Sequence, residues 1–191
     1  MFTIGGLSGV ASAAVPIDWQ MTDSYFAVAH IHYVLFGGTM FALFAGVYYW
    51  FPKISRRMLN ERWGKVHFWL TLIGFNLTFM IQPVLGMIGM LRRVFTYPAL
   101  PGWAEMNMAS TIGAFVLAFS VLIFMVNTAI SPRSGALAGD SPWDAWTPEW
   151  ATTSPPPENF THGVPPLRGR RPQWYLAHPN RTDEMMIKLV K

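Results

Sequence analysis

DSYFAVAHIHYVLFG, residues 23–37, sets two histidines, His30 and His32, inside an apolar run. On an α-helix each residue advances by about 100°, so a gap of two turns these side chains about 200° apart, onto nearly opposite faces. The run continues over residues 24–51 without an Asp, Glu, Lys or Arg, roughly 28 residues where a hydrocarbon core needs about 20. Ionisable side chains at membrane depth are rare and point to function. Two imidazoles aimed in opposite directions need two partners. Each partner is either haem iron, for which neutral imidazole is an axial ligand, or a hydrogen-bonding group on another helix or in a watery cavity.

Composition agrees with a membrane chain. Of 191 residues 52% are hydrophobic, 15% aromatic and only 13% charged, about half the charge of an ordinary soluble domain. The net charge of +4 is modest and its basic residues fall in loops and tail, which speaks for membrane orientation and against nucleic acid as a partner. There is no cysteine, so disulfides, iron–sulfur clusters and thiolate-ligated haem are excluded. Histidine is left as the main ligand for a transition metal.

Outward from the histidine pair, the chain divides into an opening segment, three spans and a tail. Residues 1–23 hold a small-residue, apolar opening, which reads as the end of a preceding helix, and then a polar turn; Asp23 or Ser24 is the expected N-cap of the first span. A transmembrane region of three helices is expected over 24–130, at about 24–51, 67–90 and 106–130. Pro52 is expected to end the first span, and Pro83 to kink the second. The loop 53–66 carries Lys53, Arg56, Arg57, Arg62 and Lys65, against Arg92 and Arg93 in the loop 91–107. The positive-inside rule therefore puts the first loop and the tail in the cytoplasm. The tail, 131–191, holds ten of the fifteen prolines and four of the nine tryptophans; it is expected to be extended, with one short amphipathic helix over 181–191.

Other polar residues carry two readings each. Arg92 and Arg93 have the planar forks that match carboxylates bidentately, or are interfacial anchors. Asp18 and Asp23 are hard-cation ligands, or a cap and a solvated turn. His67 is most simply an interfacial histidine.

Taken together these motifs resemble a known family. DSYFAVAHIHYVLFG is similar to the tenth transmembrane helix of the twelve-helix catalytic subunit, subunit I, of the haem–copper oxidases. FTIGGLSGV resembles the end of its ninth helix. ERWGKVHFWLTLIGFNLTF followed by GMIGMLRRVFTYP resembles its eleventh helix and the arginine pair beyond it, and WTPEWATTSPPPENF the C-terminal extension of bacterial members. The resemblance implies an all-α membrane protein whose spans match helices ten to twelve, in a bacterial plasma membrane. It implies that His30 is the proximal ligand of a high-spin haem, where oxygen is reduced, and His32 an axial ligand of a low-spin haem. Arg92 and Arg93 would bind haem propionates. Asp23 would be a magnesium ligand, with Asp18 in the same region. Two A-type haems, copper and magnesium are the implied cofactors. The implied partners are the rest of subunit I, subunits II and III, cytochrome c as electron donor, and the bilayer.

The whole would reduce oxygen to water with electrons from cytochrome c, coupled to proton translocation. The copper ligands and the second low-spin ligand lie, in the family, on helices before this stretch, so the isolated chain is expected to be inactive. A non-catalytic haem-binding or assembly protein, or a relative of the nitric oxide reductases, is the alternative. The sequence departs from the family pattern at Ile31, usually Phe; at Leu91, usually Pro; at Pro83, usually His; and at Thr22, a magnesium-site His in many members.

Overall fold

The computed structural model describes residues 1–157 and 171–178. Among the described residues there is no strand, only two isolated bridges, Ser24 with Leu91 and Arg57 with Leu137. The helices are α1 (Phe2–Ser12), α2 (Val15–Met21), α3 (Tyr25–Leu35), α4 (Phe41–Ser55), α5 (Glu61–Phe79), α6 (Gln82–Met87), α7 (Trp103–Ser134) and α8 (Pro172–Ala177). Three stretches are long and apolar enough to cross a membrane: Tyr25–Ser55, Glu61–Met87 and Trp103–Ser134. The fold is all-helical, as expected.

The helix ends differ from the sequence expectation in three places. Pro52 does not end the first span. The helix runs on to Ser55, where the Ser55 hydroxyl donates to the Phe51 carbonyl at 2.9 Å and the Arg56 N–H to the Pro52 carbonyl. One missing donor is cheaper than a turn of stranded carbonyls. α5 begins at Glu61, not His67, because the Asn60 side chain accepts from the N–H groups of Arg62 and Trp63 at 3.0 and 3.2 Å and caps the helix. Arg62 and Lys65 are therefore helical. The third span begins at Trp103 and continues through Pro132 to Ser134. The second span does break near Pro83: α5 stops at Phe79 and α6 restarts with the proline in its first turn, where its missing N–H costs nothing.

The chain forms two compact units. The first comprises Met1–Val47 and Asn60–Thr128. Its core is a cluster of Tyr33, Phe75 and Phe79, backed by Met1, Phe36, Phe41 and Leu117. The Tyr33 hydroxyl donates to Asn76 Oδ1 at 2.7 Å. A second cluster joins Leu85, Met90 and Trp103. α5 and α7 meet through small and hydroxyl side chains, Thr71 Oγ1 to Ser120 Oγ at 2.9 Å and Ser110 Oγ to the Thr78 carbonyl at 2.8 Å, which is how helices pack where no hydrophobic drive separates protein from solvent. Asn127 closes the pair, accepting from the Asn60 N–H and donating to its carbonyl, both at 3.1 Å. Between α3 and α4 the backbone opens into a π turn, Phe36–Met40.

The second unit comprises Tyr48–Leu59 and Ala129–Lys191. Buried Trp150 donates from Nε1 to the Tyr49 hydroxyl, and Trp143 to the Tyr49 carbonyl, both at 2.9 Å. Lys53, counted above among the loop cations, is 5% exposed; its ammonium donates to the Thr152 carbonyl and lies 5.5 Å from the Trp150 ring centre. The Arg57 guanidinium donates to the Gly135 carbonyl at 2.7 Å. Beyond Ser134 the described part of the tail is largely without regular secondary structure, as expected, its regular elements being the 3-10 turn Pro148–Ala151 and the short α8. Its expected helix over 181–191 lies outside the described residues.

Candidate functional site: two oriented imidazoles on α3

α3 is held at its start and along both flanks. Ser24 is its N-cap, accepting from the Phe26 N–H at 3.2 Å, so of the two expected caps the serine serves. The chain beyond α6 returns to this point: the Tyr25 N–H donates to the Met90 carbonyl at 3.0 Å and the Arg92 N–H to the Asp23 carbonyl at 2.9 Å. α6 lies so close that a Cβ on Gly86 would stand 2.2 Å from the Phe26 nitrogen.

The histidines leave α3 in the opposed directions that their spacing predicts. His30 turns to α1. Its Nδ1 lies 2.9 Å from the Gly5 carbonyl and 3.0 Å from Ser8 Oγ, and the Ser8 hydroxyl itself donates to Gly5 at 2.8 Å. A Cβ on Gly9 would fall 2.8 Å from His30 Cε1, so only glycine lets the ring sit here. His32 turns to α5, stacking on Phe79 with ring centres 4.1 Å apart and planes 16° apart; its Nδ1 lies 2.7 Å from the Val28 carbonyl.

A carbonyl oxygen can only accept. Both Nδ1 atoms therefore carry the proton, and in each neutral ring Nε2 holds the lone pair. Metal-ligating histidines are oriented in this way, with the second nitrogen donating to a carbonyl or carboxylate. Stacking on Phe79 covers a face of the His32 ring and lies outside the plane of its lone pair. The residues present fit two haem irons, one on each side of α3.

The other expected site residues gather near the start of α3. Arg92 Nη2 and Nε reach Asp23 Oδ1 at 2.9 and 3.3 Å, an exposed ion pair. Only part of the five-donor fork is used, which leaves donors for a further carboxylate. Arg93 follows with a left-handed backbone, φ 62°. Asp18 accepts from the Thr22 hydroxyl. Among the described residues no three His, Cys, Asp or Glu converge, so Asp18 and Asp23 alone do not make a magnesium cage. His67, expected at an interface, is instead buried between Phe44 and Phe124.

Sequence reasoning missed the role of α1. Gly5, Ser8 and Gly9 stand at i, i+3 and i+4 on one helical face, and that spacing in FTIGGLSGV was the available signal for a close helix contact. No pattern in the sequence pointed to Phe79 as the partner of His32.

Residues 1–116 match the model of the family described as cytochrome C and quinol oxidase polypeptide I. The chain is 53% identical over 156 residues to cytochrome c oxidase subunit 1 of Thermostichus vulcanus, covering 82% of this chain and 28% of the relative. It is 49% identical over 174 residues to the protein of the same name from Bacillus sp. strain PS3 (91% and 28%), and 46% over 186 residues to that of Corynebacterium efficiens (96% and 32%). The chain spans about a third of the length of the curated relatives it matches.

Proposed function

Because the chain belongs to the cytochrome c and quinol oxidase polypeptide I family, we propose that it is the haem-ligating C-terminal part of an oxidase's catalytic subunit, acting in a membrane complex that reduces oxygen with electrons from cytochrome c and moves protons across the bilayer. The observation that carries this reading is the pair of Nδ1–H groups bound to backbone carbonyls, which presents two Nε2 lone pairs on opposite sides of one helix.

His30 would hold the high-spin haem and His32 the low-spin haem. Haem, when bound, would supply the electron relay and the oxygen chemistry, and copper would be held by the rest of the subunit. The residues of this chain hold and orient. Gly5 and Ser8 fix the tautomer and tilt of His30, Phe79 fixes the plane of His32, and α3 sets one rigid separation between the two rings. Arg92, steadied by Asp23, and Arg93 bind propionates at the same end. A-type haem and a magnesium ion completed by other residues follow from the family alone. The bacterial plasma membrane is the setting, with the loop that leads into α5 on the cytoplasmic side. With Lys53 buried, that loop and the first turns of α5 still present Arg56, Arg57, Arg62 and Lys65 against Arg92 and Arg93.

The test is the optical spectrum of the purified membrane complex that contains this chain. Two haems per chain are expected, and carbon monoxide should shift the bands of one and leave the other unchanged. A complex without a Soret band, or with a single haem, would overturn the reading.

A smaller effect probes the support of His30. Gly9→Ala is expected to push the His30 ring off its acceptors and alter the iron–histidine stretch of the high-spin haem in resonance Raman, with the low-spin bands unchanged. Gly6→Ala is the control, because a Cβ at Gly6 meets nothing within 4 Å.

A further inference from the structure

We infer that the outer groove between α5 and α7 is a binding site for one anionic phospholipid, its acyl chain in the groove and its phosphate on Arg62 and Lys65. The groove has a volume of about 380 Å³ and is lined by Trp63, Val66, Phe119, Leu122, Ile123 and Val126, all of them apolar. It is large enough for a ligand segment, since binding pockets span about 300–1,000 Å³. It also lies away from α3. Val66 and Phe75 are nine residues apart on α5, about 180° around the helix, and Phe75 is the residue buried against Tyr33. The groove therefore opens on the face of the α5–α7 pair opposite α3.

Charge at the mouth of the groove selects the occupant. Arg62 precedes Val66 by four residues and so stands one turn from it at the mouth of the groove. Lys65, three residues from Arg62 and about 100° around the helix from Val66, flanks Arg62 on the side away from Trp63. Both cations are exposed, and no described carboxylate pairs with either, Arg92 with Asp23 being the ion pair found among the described residues. The nearby carboxylate, Glu61, is about 140° around the helix from Val66; it stands four residues before Lys65 but forms no ion pair with it. Trp63, half exposed, sits at the same level, where indoles mark the boundary between headgroups and hydrocarbon. A guanidinium over an apolar slot at that level matches a phosphate with an acyl chain beneath it. A neutral helix of another subunit would leave both cations unmatched. A zwitterionic lipid would bring its own cation to them.

The site is tested on the complete complex in phosphatidylcholine nanodiscs containing a small fraction of phosphatidylglycerol that carries a photoreactive diazirine on its acyl chain. The same probe on phosphatidylcholine serves for comparison, and labelled peptides are read by mass spectrometry. Labelling of α7 over residues 119–126 is expected to be strongly favoured for phosphatidylglycerol. The double variant Arg62→Gln, Lys65→Gln should reduce that preference by about fivefold per charge removed, with unchanged haem bands reporting an intact fold. Leu122→Trp should fill the groove and block both probes. Equal labelling by the two probes would reduce the groove to ordinary annular contact and overturn the assignment. Absence of label on α5 and α7 would mean that another helix covers the groove, with the same consequence. A preference that survives the double variant would also overturn it.

Discussion

Replacing His32 with alanine in the assembled complex is expected to eliminate the low-spin haem bands while the carbon monoxide-sensitive bands of the high-spin haem persist; His30→Ala should do the reverse. On the proposed assignment each substitution removes the one nitrogen that this chain would offer to one iron, and alanine supplies no replacement. The effects should be separable because the two rings rest on different neighbours: His30 on α1 through Gly5 and Ser8, His32 on α5 through Phe79. Oxygen consumption should fall to background in both variants, for different reasons. On the proposed assignment, the His30 variant would lack the haem where oxygen reacts and the His32 variant the haem that relays electrons to it. Difference spectra of reduced and carbon monoxide-treated samples separate the two cases. If His32→Ala left the low-spin bands intact, the ligand assignment would fail.

The second large effect needs no change at either histidine. Gly86→Ala would place a Cβ 2.2 Å from the Phe26 nitrogen, 2.7 Å from its Cβ and 2.8 Å from Ser24 Oγ. Two of those atoms belong to backbone and cap and cannot swing aside as a long side chain does. Overpacking in a well-filled core costs about 1–3 kcal/mol and occasionally more, and this contact, made against backbone, belongs at the upper end. α6 must move off α3, straining the Ser24 cap and the returning segment through Met90 and Leu91 that positions Arg92. The expected result is loss of both haems together on mild heating, read as a drop in the temperature at which the Soret band bleaches. Gly6→Ala, in open space, should leave that temperature unchanged.

Much of this was legible in the sequence. The spacing of His30 and His32 gave the opposed directions directly, because a helix of that length allows no other geometry. The three spans followed from uninterrupted apolar runs, and Ser24 was one of two caps expected. What escaped depended on contacts between segments distant in the chain. Lys53 reads as a loop cation until Thr152 and Trp150, a hundred residues on, are found around it. His67 reads as interfacial because it follows three charged residues within seven positions, yet Phe44 and Phe124 bury it. Arg62 and Lys65 hid the start of α5 from a hydropathy reading, although Asn60 followed by Glu61 was a legible start signal. The tertiary role of Gly5, Ser8 and Gly9 was hidden because glycine-rich stretches announce flexibility as readily as close approach.

The π turn over Phe36–Met40 has a bearing on how far the histidine geometry governs the rest of the first span. Five residues separate Phe36 from Phe41, which on an unbroken α-helix would face about 140° apart. With one residue more in that turn, both rings reach Phe75, at 5.2 and 6.2 Å between centres. The span therefore behaves as two rotors set at different phase angles on one shaft. The upper rotor is indexed by what its imidazoles must face, and the lower by where its phenyl rings must pack. Each is free of the other's angular demand.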